Sequence, residues 1–157
     1  MKLLATGIVV GVIGTIVMDI LNYLSARSGV LTKIETGTIG RMAAGWFRGR
    51  FFYNHPSEMT PVANERFYGY VAHYFIGIGL SVPFVLLWGL LVGGQISPAW
   101  ALMYGISTTV ASWFFVYPSM GFGVFGIRSP DGTKACFSSL ANHLFYGIGL
   151  ALGVAIL

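Results

Sequence analysis

The sequence predicts an all-α polytopic membrane protein whose four transmembrane helices form two hairpins. Its mean hydropathy is +0.75, and only 9% of its residues are charged, whereas about a quarter are charged in soluble domains. Four apolar stretches reach the roughly 20 residues that a helix needs to cross about 30 Å of hydrocarbon. They cover approximately residues 3–24, 67–92, 98–118 and 137–156, so we expect all 157 residues to form a single transmembrane domain.

The first apolar stretch begins like a secretory signal peptide, because Lys2 precedes it. It is too long for the apolar region of a signal, it contains Asp19, and no small-residue cleavage pattern follows it. We therefore expect it to be retained as the first transmembrane helix.

The basic residues predict the orientation of the chain. All of the nine lysines and arginines except Lys2 lie close to or within two loops, residues 25–66 and 119–136. The positive-inside bias places such loops in the cytoplasm, so both termini are predicted to face the periplasm or the outside of the cell. This distribution also explains the net charge of +4 without any binding of nucleic acid.

A repeated segment indicates an internal duplication. VAHYFIGIGL at residues 71–80 recurs as ANHLFYGIGL at residues 141–150, and the parallel order of the hairpins suggests two halves related by an axis along the membrane normal. In both copies a small residue lies one turn from the histidine, on the same helix face. Small residues at this spacing allow close helix packing, and the glycines assigned to it are Gly7, Gly11, Gly14, Gly69, Gly77 and Gly147. Pro83 is expected to kink the second helix.

The long first loop combines aromatic and basic side chains between Ile39 and Phe52. This composition suits the headgroup layer of a bilayer, and it predicts a segment that lies on the membrane surface or partly re-enters it. Gly40, Gly45 and Gly49 are expected to weaken any regular helix there. The glycine-rich second loop is predicted to fold back against the bundle.

A polar site is predicted near the cytoplasmic end of the helices. Asp19 is an acid within an apolar span, and such groups usually face the bundle interior with a partner. The hairpin topology puts Asp19, His73 and His143 at similar depths. The side chains expected to surround them are Asn22, Asn142, Glu65 and Arg41.

Several functions remain open for this site. The leading hypothesis is a small transporter or an ion or proton permeation protein, because imidazole titrates near neutral pH. The alternative is a haem b protein with His73 and His143 as ligands, or a transition-metal protein with Asp19, His73 and His143 as candidate ligands. A third possibility is a structural or accessory subunit held together by the polar cluster. A lipid-directed enzyme is the least favoured, because the sequence has no GxSxG, P-loop, HExxH or CxxC motif. Four closely packed helices leave little room for a solute within one chain, so a homo-oligomer is also expected.

The order of short motifs resembles a known family. Met18 and Asp19 are followed by GR at residue 40, GRF at residue 49, His55, Glu65, GYVAHYFIGIG at residue 69, PSMGFG at residue 118 and the second histidine, His143. This series is similar to the small bacterial inner-membrane proteins grouped as domain of unknown function 2938. The resemblance implies a four-helix protein of the bacterial inner membrane, and it implies no activity, cofactor or functional residue.

Overall fold

A computed structural model describes residues 1–157, and the fold is entirely helical. Its helices are α1 (Lys2–Arg27), α2 (Thr36–Phe47), α3 (Glu65–Leu91), α4 (Pro98–Ser119) and α5 (Thr133–Ile156). All except α2 are long and apolar enough to cross a membrane, four in total. The predicted all-α fold with four candidate spans is therefore confirmed.

The helix ends follow from local sequence. Ser97 caps α4 by accepting a hydrogen bond from the Trp100 amide, and Pro98 occupies the first turn, where a missing N–H costs nothing. α3 begins after Asn64, which adopts a left-handed conformation with φ of 54°, and asparagine tolerates this region better than most residues.

The four spans pack as an open row in the order α3, α1, α5, α4. α1 lies against α3 and α5, and α5 lies against α4, whereas no comparable packing joins α3 to α4. Glycines make the close approaches possible, since a Cβ at Gly11 would lie 2.9 Å from Cα of Ile78 on α3, and one at Gly149 would lie 2.6 Å from Cα of Gly14 on α1. Each predicted hairpin, α1 with α3 and α4 with α5, is thus a pair of packed neighbours.

The clearest helical irregularity lies in α4, and a kink of α3 at Pro83 stays a prediction. α3 continues through Pro83 as one helix, whereas α4 is broken at Thr108 and widens into a π-helical turn over Ser112–Val116. Wide turns of this kind are often found at functional sites.

The segment that the sequence predicts to lie on or partly within the membrane surface contains a regular helix, α2, and its position relative to the membrane stays a prediction. α2 packs against the first turns of α3, where a Cβ at Gly40 would overlap the carbonyl oxygen of Glu65 and one at Gly69 would overlap that of Thr36. Of the three loop glycines expected to weaken a helix, Gly40 instead allows this contact, Gly45 packs against Tyr53, and Gly49 lies beyond the end of α2. The two loops meet in one apolar cluster, whose buried members are Ile39, Met42, Tyr53, Met59, Met120 and Phe122.

Candidate functional site

Asp19 and His73 form a direct hydrogen bond between α1 and α3. Nε2 of His73 lies 2.9 Å from Oδ1 of Asp19, and their side chains are 12% and 27% exposed, respectively. One turn away, Gly77 lies against the hydroxyl of Thr15, so that the two helices are close enough for the bond to form. An aspartate within a span therefore has the partner that its desolvation requires.

His143 has a different partner, the hydroxyl of Thr108 on α4. Its Nδ1 lies 2.7 Å from Oγ1 of Thr108, and the same hydroxyl donates to the carbonyl of Gly105 at 2.5 Å. A hydroxyl has one hydrogen to donate. Because this hydroxyl can donate to Gly105, we assign Nδ1 of His143 as the donor in its bond with Thr108, which leaves Nε2 of a neutral ring as an acceptor.

The two repeated segments occupy equivalent places in their hairpins. His73 bonds to α1 and Gly77 packs on α1, while His143 bonds to α4 and Gly147 packs on α4, where its Cβ would lie 2.6 Å from the carbonyl oxygen of Leu102. Such equivalence is what an internal duplication produces, and the duplication itself stays a prediction.

The three candidate metal ligands do not come together as one set. No group of three or more His, Cys, Asp or Glu side chains is close enough to hold a metal ion. The physical reason is that His143 turns toward Thr108 on its own side of the row, whereas Asp19 is engaged by His73. The binding of haem or of a metal by the histidines alone stays a prediction.

Asn22 and Asn142 join the two hairpins beside the site. Nδ2 of Asn22 donates to Oδ1 of Asn142 at 2.9 Å and to the carbonyl of Thr32 at 3.0 Å. Its Oδ1 accepts from the amide of Ile34 at 3.3 Å. Asn22 thus satisfies the backbone of the loop after α1 while it bonds to α5.

Arg41 and Glu65 form an ion pair outside the polar site. Nε and Nη2 of Arg41 donate to the two carboxylate oxygens at 2.6 and 2.9 Å, and this bonding raises the pKa of the guanidinium. The pair fastens α2 to the first turn of α3. Neither Arg41 nor Glu65 lines the cavities described below.

A cavity of about 700 Å³ occupies the space between α3 and α4. Both His73 and His143 line it, and Tyr146 closes its deep end by donating to the carbonyl of Gly77 at 2.5 Å. Its walls are largely apolar and aromatic, which is typical of ligand sites. Other residues of the lining that bear on its chemistry are Lys33, Glu35, Trp46, Gly79, Thr108, Phe115, Asp131 and Asn142.

A second cavity, of about 330 Å³, lies on the other side of the Asp19–His73 bond. Asp19 lines this smaller cavity and His73 lines the larger one, while Lys33 and Ile34 line both. The hydrogen bond therefore spans the partition between two spaces. Asp19, Asn22 and Lys33 are reached from the smaller space, where Tyr70 of α3 forms part of the wall.

Thr108 and Tyr146 are site residues that the sequence-based prediction missed. Thr108 belongs to the polar run Ser107–Thr109 inside an apolar span, and this run is a visible signal. Tyr146 lies within the repeat itself, three residues after His143. Its role depends on the approach of α3, which sequence spacing does not reveal.

No curated protein and no solved structure matches the chain. A family model described as "Protein of unknown function (DUF2938)" matches residues 8–157, which is nearly the whole length. The resemblance drawn from the motifs is thereby confirmed. The chain belongs to the DUF2938 family of proteins of unknown function.

Proposed function

We propose that the protein is a small transporter or permeation protein in which Asp19 and His73 accept protons. One observation carries this proposal: the Asp19–His73 hydrogen bond joins the walls of two separate cavities. A carboxylate and an imidazole in contact are suited to pass a proton between such spaces, because imidazole exchanges protons near neutral pH. The larger cavity is the binding space for the solute.

The geometry supports a particular role for each group. An ionised Asp19 accepts a hydrogen bond from Nε2–H of His73, which leaves Nδ1 as the basic nitrogen. When Nδ1 takes a proton from the larger cavity, the neighbouring carboxylate stabilises the imidazolium ion. Asp19 can then receive a proton from Nε2 and release it to the smaller cavity. His143 has no acid within hydrogen-bond reach and serves to bind the solute.

We also propose that the protein lies in the bacterial inner membrane with both termini outside the cytoplasm. The end of the bundle that carries α2 and both long loops also carries nearly all of the basic side chains. Cytoplasmic loops carry this excess. Both cavities reach toward that end, so a solute would be bound on the cytoplasmic half of the membrane.

Reconstituted vesicles test the proton step. A potassium diffusion potential drives proton uptake, and a pH-sensitive dye inside the vesicles reports it. Asp19→Asn and His73→Gln should each reduce uptake to the rate of protein-free vesicles. Glu65→Gln is the matched control, because it removes a carboxylate from the same end of the bundle without touching either cavity. If uptake by Asp19→Asn equals that of the unaltered protein, the proposal fails.

A haem or metal protein is the second candidate, and one observation favours it. His73 and His143 line the same cavity, and no hydrogen bond occupies Nδ1 of the first ring or Nε2 of the second. Protein purified in mild detergent should then show a Soret band or about one metal per chain. Substitution of either histidine by alanine should remove that signal. A colourless, metal-free preparation would remove this candidate.

An accessory role and an oligomeric state are separate questions. If the polar cluster only holds helices together, Asp19→Asn and His143→Ala lower thermal stability and change no flux. The expectation of a homo-oligomer rested on a lack of space within one chain, and the cavity of about 700 Å³ removes that argument. Whether the chain forms oligomers stays a prediction, which light scattering of the detergent-solubilised protein can test.

A further inference from the structure

The larger cavity opens sideways between α3 and α4. These helices are the two ends of the open row and do not pack closely on each other. Gly79 near the middle of α3, together with Ala111 and Phe115 of α4, lines the cavity and is also exposed on the outer surface of the bundle. A Cβ at Gly79 would meet no atom within 4 Å. We call this opening, between Gly79 and the pair Ala111 and Phe115, the lateral window.

Both ends of the lateral window are closed by contacts between helices: α3 with α4 at the end away from α2, and α2 with α4 at the end near α2. We call the end away from α2 the upper end. Above the window, Tyr104 donates to the carbonyl of Leu80 at 2.6 Å, and its ring stacks on Phe84 with centroids 4.3 Å apart. Below it, Trp46 of α2 lies 5.6 Å from Phe115 between ring centroids. The opening thus lies along two helices that are long and apolar enough to cross a membrane, so we expect access from the bilayer rather than from water.

The deep wall of the cavity presents two hydrogen-bond acceptors. We assign the Nε2 proton of His73 to its bond with Asp19 and the Nδ1 proton of His143 to its bond with Thr108, so each neutral ring has an unprotonated nitrogen left. The two rings form their bonds through different nitrogens, but each ring has one acceptor nitrogen without a hydrogen-bond donor. A head group that donates hydrogen bonds would satisfy it.

The charges near the cavity favour a neutral head group. Apart from the histidines, the charged residues that line the cavity are Lys33, Glu35 and Asp131. All three belong to exposed loops at the rim of the cavity. No arginine or lysine stands in the deep part to pair with a carboxylate. Asp19 already has His73 as its partner, so it offers no free countercharge to a cation. A buried charge without a partner is costly, whereas a buried hydroxyl that donates a hydrogen bond to a histidine nitrogen is not.

We propose that the cavity binds a neutral, hydroxyl-bearing amphiphile, such as a phenol with an apolar chain, that enters from the bilayer through the lateral window. Its hydroxyl donates to the free nitrogen of His73 or His143, and its apolar body lies among the aromatic side chains of the wall. This inference rests on the proposed function, since it names the solute class of the same cavity. A hydroxyl bound at His73 would also lie where the proton step begins.

Equilibrium binding to the protein in lipid nanodiscs tests the solute class. The probe is radiolabelled 4-dodecylphenol, and protein-free nanodiscs supply the background. Its methyl ether has the same body without the donor, and should bind roughly tenfold more weakly, because one hydrogen bond is worth about 1.4 kcal/mol. Dodecylamine and dodecanoic acid are the charged competitors, and neither should displace the phenol as well as unlabelled phenol does. Equal affinity of the ether, or better competition by the amine or the acid, would overturn the assignment.

Gly79→Leu tests the route of access. The leucine side chain occupies the open space of the lateral window, so binding of the phenol should fall at least tenfold. Ala5→Leu is the control, because Ala5 is exposed on α1 and does not line either cavity. The thermal midpoints of both variants should stay near that of the unaltered protein. Unchanged binding by a folded Gly79→Leu variant would refute lateral access.

The outcomes separate this inference from the proposed function. Binding is measured without a gradient and does not depend on proton transfer. If the phenol does not bind above background while Asp19→Asn still abolishes proton uptake, the solute class is wrong and the proton step stands. If the phenol binds as expected while Asp19→Asn has no effect on uptake, the site stands and the proton step is wrong.

Discussion

Gly69→Ala is predicted to destabilise the protein, whereas Gly79→Ala, ten residues later on the same helix, is not. A Cβ at Gly69 would overlap the carbonyl oxygen of Thr36, and it would lie 2.6 Å from that carbonyl carbon and 3.1 Å from the amide nitrogen of Gly40. All of these atoms belong to the backbone of α2, so no side chain can rotate away. At Gly79 the new methyl group meets nothing within 4 Å.

The magnitudes follow from two opposing effects. Overpacking of a tight contact costs about 1–3 kcal/mol, and a contact that must be relieved by moving a helix backbone belongs at the upper end of that range. The change from glycine to alanine inside a helix returns up to about 1 kcal/mol. We expect Gly69→Ala to lose about 2 kcal/mol and Gly79→Ala to gain up to about 1 kcal/mol. At about 2–4 °C per kcal/mol for a chain of this size, a difference of about 2–3 kcal/mol separates the two midpoints by roughly 4–12 °C.

Thermal unfolding, followed by far-ultraviolet circular dichroism in one detergent and at one scan rate, measures this difference. Gly40→Ala serves as a second test of the same contact from the α2 side, since its Cβ would overlap the carbonyl oxygen of Glu65. Midpoints for Gly69→Ala and Gly79→Ala within about 2 °C of each other would refute the close packing of α2 on α3.

Three further substitutions test individual hydrogen bonds. Asn22→Ala should lower the free energy of unfolding by about 1–3 kcal/mol, because the amide bonds to the loop backbone as well as to Asn142. A double-mutant cycle with Asn142→Ala should give a coupling energy of about 1 kcal/mol. A coupling energy of zero would contradict the bond between the two asparagines. Arg41→Lys should lower the free energy of unfolding by up to about 1 kcal/mol, since lysine cannot reproduce the two-oxygen contact with Glu65. This loss should shrink in high salt. A loss that does not depend on salt would contradict the ion pair. Thr108→Val should cost about 1–3 kcal/mol because it leaves the imidazole N–H of its partner unsatisfied, and a midpoint equal to that of the unaltered protein would show that this bond is absent.

The sequence was sufficient for the fold and for one half of the site. Hydropathy located the four spans, because a span of about 20 apolar residues has few other structural uses. Depth arguments placed Asp19 near His73, since a membrane fixes how far along each helix a residue lies. The adjacency of α1 and α3 followed from their connection as a hairpin.

The surroundings of His143 depended on the order in which the helices lie side by side, which the composition of the chain does not encode. His143 was predicted at the right depth, but the row places α5 between α1 and α4, so that Thr108 rather than Asp19 becomes its partner. The open space between α3 and α4 was also unpredictable, because these helices meet only through a few side chains near Tyr104 and leave the rest of their length apart. The packing of α2 was missed because glycine was weighed by its helix propensity rather than by the close contact that it permits.

The hydrogen bonding of the two imidazoles is the central claim, and nitrogen-15 NMR of histidine-labelled protein in lipid tests it most directly. The chain has three histidines, and the third, His55, is identified by its loss in His55→Gln. At mildly alkaline pH, where neutral rings prevail, we expect His73 to carry its proton on Nε2 and His143 on Nδ1. The Nε2 signal of His73 should move in Asp19→Asn. If His73 instead carries its proton on Nδ1, or if Asp19→Asn leaves its signals unchanged, the proton step and the acceptor-lined cavity are both contradicted.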